Sequence, residues 1–205
     1  MGDASSTTRH WQEEADLLLS FLGGLVRDRQ VVFASSPYAT CRRFYDLCLG
    51  YEIKSAQELK WKLGANYITD LVAKNKEEAI LFASKLQTPA HPFVLNPTAF
   101  TADPRNTENN WSQQEYSAFW NLVIEKHCRT LYFNQGWQFS NSCTLAYVSG
   151  LRVGAKLFDH GGNLLSLDAA KKYIRAAVIN LEDLGFDVPI LQAALDEIRS
   201  FANFG

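Results

Sequence analysis

Leu131–Lys156 reads LYFNQGWQFSNSCTLAYVSGLRVGAK. It opens in an apolar run, Thr130–Phe133, that reads as a buried strand. A polar, glycine-containing bend follows at Asn134–Asn141. Ser142–Val153 then has the composition of a helix closed by Gly154, and the apolar run Ala155–Phe158 reads as the next strand. Strand, loop, helix, strand is the βαβ unit of a parallel sheet. Such sheets hold ligands outside the carboxyl ends of their strands, so chemistry is expected first in Asn134–Asn141.

That loop is rich in groups that recognise small molecules. Asn134, Gln135, Gln138, Ser140, Asn141 and Ser142 offer hydrogen bonds, Gly136 lets the chain bend, and Trp137 and Phe139 offer flat apolar faces. An aromatic wall beside amides and hydroxyls suits a heterocycle attached to a sugar. Ser140 and Ser142 also open a helix, whose free N–H groups favour an anion. Trp137 packing on the sheet, with Ser140 as a plain helix cap, accounts for the same residues without a ligand.

Outward from this unit the chain alternates between the same two periodicities. Trp11–Val26 has helical spacing and is expected outside the sheet or against a partner subunit; residues 1–10 read as a frayed tail ahead of one domain, 11–205. Val31–Ala34 reads as the first strand. The loop after it, Ser35-Ser36-Pro37-Tyr38-Ala39-Thr40, has small residues that let backbone N–H groups approach a ligand, with Ser35 and Ser36 as donors and Tyr38 to stack or hold a sugar. Thr40–Leu49 looks helical, stopped by Gly50. Arg42 and Arg43 near its start are either solvated or answer a phosphate in the adjoining loop. Ser55–Leu86 reads as two helical segments broken near Gly64-Ala65-Asn66, with Glu77, Glu78 and Lys85 on a solvated face. Phe93–Leu95 is the second strand, left by Asn96-Pro97-Thr98. The polar stretch 98–112 is long for a connection and reads as a lid, with Phe100 or Trp111 free to stack, or as a surface contact. Ser112 and Glu115 form a capping-box pattern for a helix to His127. Asp159-His160-Gly161-Gly162-Asn163 follows the last strand, where Asp159 and His160 either form an acid–base pair or line a turn. Ser166–Leu184, stopped by Gly185, and a final helix from Val188 or Pro189 to Phe201 complete the chain. The sum is a flavodoxin- or Rossmann-like doubly wound parallel sheet with extra N- and C-terminal helices.

Composition narrows the function. The chain has 205 residues, 47% hydrophobic and 20% charged, with a formal net charge of −2. That balance gives no reason to expect a nucleic-acid polymer. No apolar run approaches the roughly 20 residues of a membrane helix. Cys41, Cys48, Cys128 and Cys143 form no C-x-x-C pair, and the four histidines are isolated, so neither a metal nor a cofactor is expected. Buried thiols fit a cytoplasmic protein.

Trp137 with Ser140 three residues on, Gly154-Ala155-Lys156 behind the helix, Ser36-Pro37-Tyr38 after the first strand and Asn96-Pro97 after the second form a pattern. It resembles the nucleoside deoxyribosyltransferase and nucleotide N-glycosidase superfamily, over roughly residues 30–160. The resemblance implies a nucleoside, nucleotide or NAD-like ligand, cleavage or transfer at its N-glycosidic bond, no cofactor, and a homodimer or larger homo-oligomer. It also implies that Ser35, Ser36, Asn96, Asn134, Gly136, Trp137, Ser140 and Ser142 bind substrate. Five places depart from the family. Ser36 and Ser142 each stand for glycine, Asn121 for an aspartate that points at the sugar, and Cys128-Arg129 for Cys-Asp or Ala-Asp. Ala146 stands for the nucleophilic glutamate. The catalytic set implied is therefore Tyr38, Asn121 and position 146, with the attacking group missing. Either the chemistry has been lost, or alanine replaces a glutamate to trap a ligand; the retained loop favours replacement. A nucleotide-binding pseudoenzyme or sensor, an NAD-cleaving enzyme, and a different flavodoxin-like enzyme using Asp159 or His160 are the alternatives.

Overall fold

The strands are short and rich in β-branched, aromatic and aliphatic residues, as a sheet covered by helices on both faces requires. In the computed structural model, which describes residues 4–26, 31–100 and 111–202, β1 is Val31–Ser35, β2 Phe93–Leu95, β3 Cys128–Phe133 and β4 Lys156–Phe158. They form one parallel sheet in the order β2-β1-β3-β4. Phe33 pairs with Leu95 on one side and Leu131 on the other, and Leu131 with Leu157. Every residue of β1 is buried. The chain leaves β1 toward β2 on one flank and later returns to add β3 on the other, so the topological switch point lies between β1 and β3.

The helices are α1 Ala4–Leu25, α2 Arg42–Gly50, α3 Ala56–Leu63, α4 Lys74–Leu86, α5 Gln113–His127, α6 Asn141–Arg152, α7 Leu167–Asp183 and α8 Pro189–Ala202. α4 packs on β1 and β2. α5 and α6 cover the face that carries Phe33, Leu131 and Phe133: Phe33 meets Trp120 at 6.0 Å and Phe133 meets Tyr147 at 5.6 Å, centroid to centroid. α8 packs on α6 and α7, burying Ile174, Leu181, Leu191, Leu195 and Ile198 within the chain. The architecture is the expected doubly wound α/β sheet with added terminal helices.

Local signals set most boundaries. Ser55 with Glu58 and Ser112 with Glu115 are complete capping boxes, and Ser166 caps α7. The break expected at Gly64-Ala65-Asn66 is present, with Gly64 at φ 54°. It is followed by a π-helical stretch, Ile68–Ala73, that runs straight into α4. Three details differ from the sequence reading. α1 begins at Ala4, because nothing between Ala4 and Trp11 breaks a helix. β3 begins at Cys128, whose side chain is fully buried. α2 begins at Arg42 rather than Thr40, capped by Cys41, whose Sγ accepts from the Phe44 N–H at 3.4 Å. α1 docks on α5 through Ala15 and Leu19 and the Trp11–Trp111 edge contact at 6.0 Å, leaving Leu17, Phe21 and Leu25 exposed. The charged turn over residues 27–30 and most of the long polar connection, 101–110, lie outside the described residues. Among the described residues no helix is long and apolar enough to cross a membrane.

Candidate functional site

The loops after β1 and β3 are stitched together at the switch point. The Asn134 N–H donates to the Ser35 carbonyl at 2.9 Å, and the Asn141 N–H, first in α6, donates to Thr40 Oγ1 at 3.0 Å. Gly136, at φ 77°, turns the β3 loop into a single 3₁₀ turn, Trp137–Phe139; a left-handed residue there is what glycine supplies without steric cost. The two loops that the sequence placed at one sheet edge are therefore in direct contact.

Several residues implied by the resemblance turn inward. Trp137 is 4% exposed, stacked on Tyr147 at 5.3 Å and tilted against Phe133 at 5.1 Å; its faces are occupied by the core. Ser35, Ser36 and Ser140 are buried. Ser140 Oγ lies 3.2 Å from Ser142 Oγ and makes no capping bond to α6. Ser35, Ser140 and Ser142 surround the Cys143 thiol, which burial pushes up to about 11 against their hydrogen bonds. Ser36 Oγ is buried without a partner among the described residues. Asn96 folds its Oδ1 back to accept from the Thr98 N–H and hydroxyl, at 3.1 and 2.7 Å, which closes the turn after β2. The Tyr38 carbonyl accepts from Asn75 Nδ2 at 2.6 Å. Asn121 is half-buried on α5. Ala146 is 4% exposed and belongs to the hydrophobic core. Asp159 accepts the Gly161 and Asn163 N–H groups, each at 2.9 Å, and so ties its own turn. Phe100 lies against Trp120, and Trp111 against Tyr116 and Phe119.

Beside this buried cluster, on the α4 side, lies an open cleft of about 560 Å³. Pro37, Cys41, Arg42 and Arg43 form one wall, Asn134, Gln135, Gly136, Gln138 and Phe139 the second, and α4 the third. Arg43 is held by Asn75 and Glu78. Arg42 donates to Asp46 at 2.9 Å and Asn180 at 2.8 Å, and its guanidinium carbon sits 5.6 Å from the centre of the Phe139 ring. Asn75, 3% exposed, also donates to Cys41 Sγ at 3.2 Å. Burial raises the Cys41 thiol, partly offset by the Phe44 N–H, Asn75 and Arg43.

Of the binding residues implied by the resemblance, Asn134 and Gly136 line this cleft; Ser35, Ser36, Asn96, Trp137, Ser140 and Ser142 do not, and neither do Tyr38, Asn121 and Ala146 of the implied catalytic set. The sequence reading missed α4's share. Asn75, Glu78, Phe82 and Lys85 fall at i, i+3, i+7 and i+10, one stripe of a helix, but the stripe gains meaning only once α4 is known to pass the β3 loop. A second hollow of about 450 Å³ lies between Ile53 and Trp61 near α3, away from the strand ends. Among the described residues no group of three or more His, Cys, Asp or Glu is placed to hold a metal.

Fold and cleft together define a doubly wound α/β protein with a polar, cation-bearing cleft at its switch point. No protein-family model, no curated protein and no solved structure matches the chain.

Proposed function

We propose that this protein binds a nucleoside or nucleotide-like small molecule in the switch-point cleft and leaves its glycosidic bond intact. The observation that carries the reading is the composition of the cleft: amides from Asn75, Asn134, Gln135 and Gln138, the Phe139 ring, and basic side chains around about 560 Å³. That volume and mixture fit a drug-sized heterocycle with polar substituents. Against cleavage stand two facts. Position 146 has neither a carboxylate nor access to the cleft. Glu78, the one carboxylate in the lining among the described residues, is held by Arg43, so it is not poised to attack an anomeric carbon.

Isothermal titration with the common nucleosides, their 5′-phosphates and NAD should show saturable binding of at least one. Chromatography of the same mixtures after long incubation should show no free base. Base released by the protein, or no heat from any compound, would overturn the reading.

A further inference from the structure

We infer that the cleft selects nucleotides over nucleosides by holding a phosphate at its α2 end, between Arg42, Arg43 and Lys85. The inference rests on the nucleotide-binding reading above and adds the class of ligand to it.

Charge is the first argument. The whole chain carries −2, yet among the described residues the cleft lining has three cations against the single carboxylate of Glu78. With Arg42 paired to Asp46 and Arg43 to Glu78, Lys85 leaves one positive charge in excess, which favours an anion there. Lys85 has no ion pair among the described residues.

Position is the second. Arg42 and Arg43 are the first two residues of α2, the end of a helix where cations are disfavoured. They do not cap it; Cys41 does. α2 has no acidic residue in its first turn; their ion-pair partners are Asp46, one turn on, and Glu78 of α4. A cation at this end is stabilised by an anion that the helix N-terminus also attracts.

Preorganisation is the third. A guanidinium has five N–H donors. Arg43 spends one on Asn75 and one on Glu78, and Arg42 one on Asp46 and one on Asn180. Both forks are fixed while donors remain for a ligand. The Phe139 ring, its centre 5.6 Å from the Arg42 guanidinium carbon, lines the same cleft as Gln135 and Gln138, a place for a base to stack next to the phosphate and be read along its edge.

The test compares adenosine, guanosine, cytidine and uridine with their 5′-mono- and diphosphates, by titration at low and high salt. At low salt at least one phosphorylated form should bind about 10- to 100-fold tighter than its nucleoside, as charge-assisted hydrogen bonds allow, and the gap should narrow as salt rises. Arg43→Gln and Lys85→Gln should each shrink the gap between nucleotide and nucleoside. Lys85→Gln removes an exposed side chain, so the fold survives it; circular dichroism checks Arg43→Gln. Equal affinity for nucleoside and nucleotide would overturn the phosphate site and leave the reading beneath it standing. Binding of neither would overturn both.

Discussion

A methyl group at position 146 has a structural reason in this fold. Cys143, Ala146 and Gly150 follow one another at i, i+3 and i+7, a single stripe of α6. A Cβ at Gly150 would come within 2.7 Å of Leu157 Cδ2 and 3.2 Å of Leu131 Cδ2, so this stripe faces the sheet at close range. A glutamate inserted at 146 would place a carboxylate inside that contact. Ala146→Glu is therefore expected to cost about 3–5 kcal/mol, the penalty of a buried charge without a partner, and to release no base from nucleosides. Urea unfolding and chromatography measure the two halves. An unchanged unfolding midpoint together with base release would show that the position opens to the cleft and that the superfamily's nucleophile belongs there. Residue types in the 134–142 loop were legible as ligand-binding or core-forming, and direction was not. Trp137 serves either purpose until Tyr147, beneath it in α6, takes its face.

The elements themselves were legible because their ends are marked locally. Capping boxes at Ser55 and Ser112, the cap at Ser166 and the glycine stops at Gly64 and Gly185 need no tertiary information. Ser112→Ala should accordingly cost about 1 kcal/mol, read from the thermal midpoint. What one element contributes to another was hidden. Glu77, Glu78 and Lys85 read as solvated helix surface, and Glu78 and Lys85 join a cleft wall only through the passage of α4 beside the β3 loop. Gly150 is a case of the same kind. Helix propensity alone would favour replacing it, by up to about 1 kcal/mol. The close approach of α6 to Leu131 and Leu157 reverses the sign. Gly150→Val should destabilise by about 1–3 kcal/mol through overpacking, and a stabilised variant in urea titration would refute that account of the α6–sheet contact.

For the molecule as a whole, the direction from which pH attacks the fold follows from what is buried. Among the described residues the buried polar side chains are serines, threonines and asparagines, with no buried carboxylate or ammonium. The buried groups that ionise are thiols and phenols, and burial raises them. Cys143 is pushed up to about 11 and Cys128 to about 12, both from an ordinary 9.0. The sign follows by linkage. Below about pH 9 both the folded and unfolded chains keep these protons. As pH rises from there, the unfolded chain loses its thiol protons while the folded chain holds them, so each further pH unit removes about 1.4 kcal/mol of stability per buried thiol. The loss ends when the folded thiol itself titrates, near 11 for Cys143, which sets that residue's share at up to about 3 kcal/mol. Urea midpoints should be flat from pH 7 to about 8.5 and then fall. Cys143→Ser removes one titrating group and should make the decline shallower, while the thiol of the native protein should react with an aromatic disulfide reagent only on unfolding. A midpoint that stays level to pH 11, or a slope that Cys143→Ser leaves unchanged, would mean that these thiols are open to water and that the serine-lined end of β1 and β3 is not closed as described.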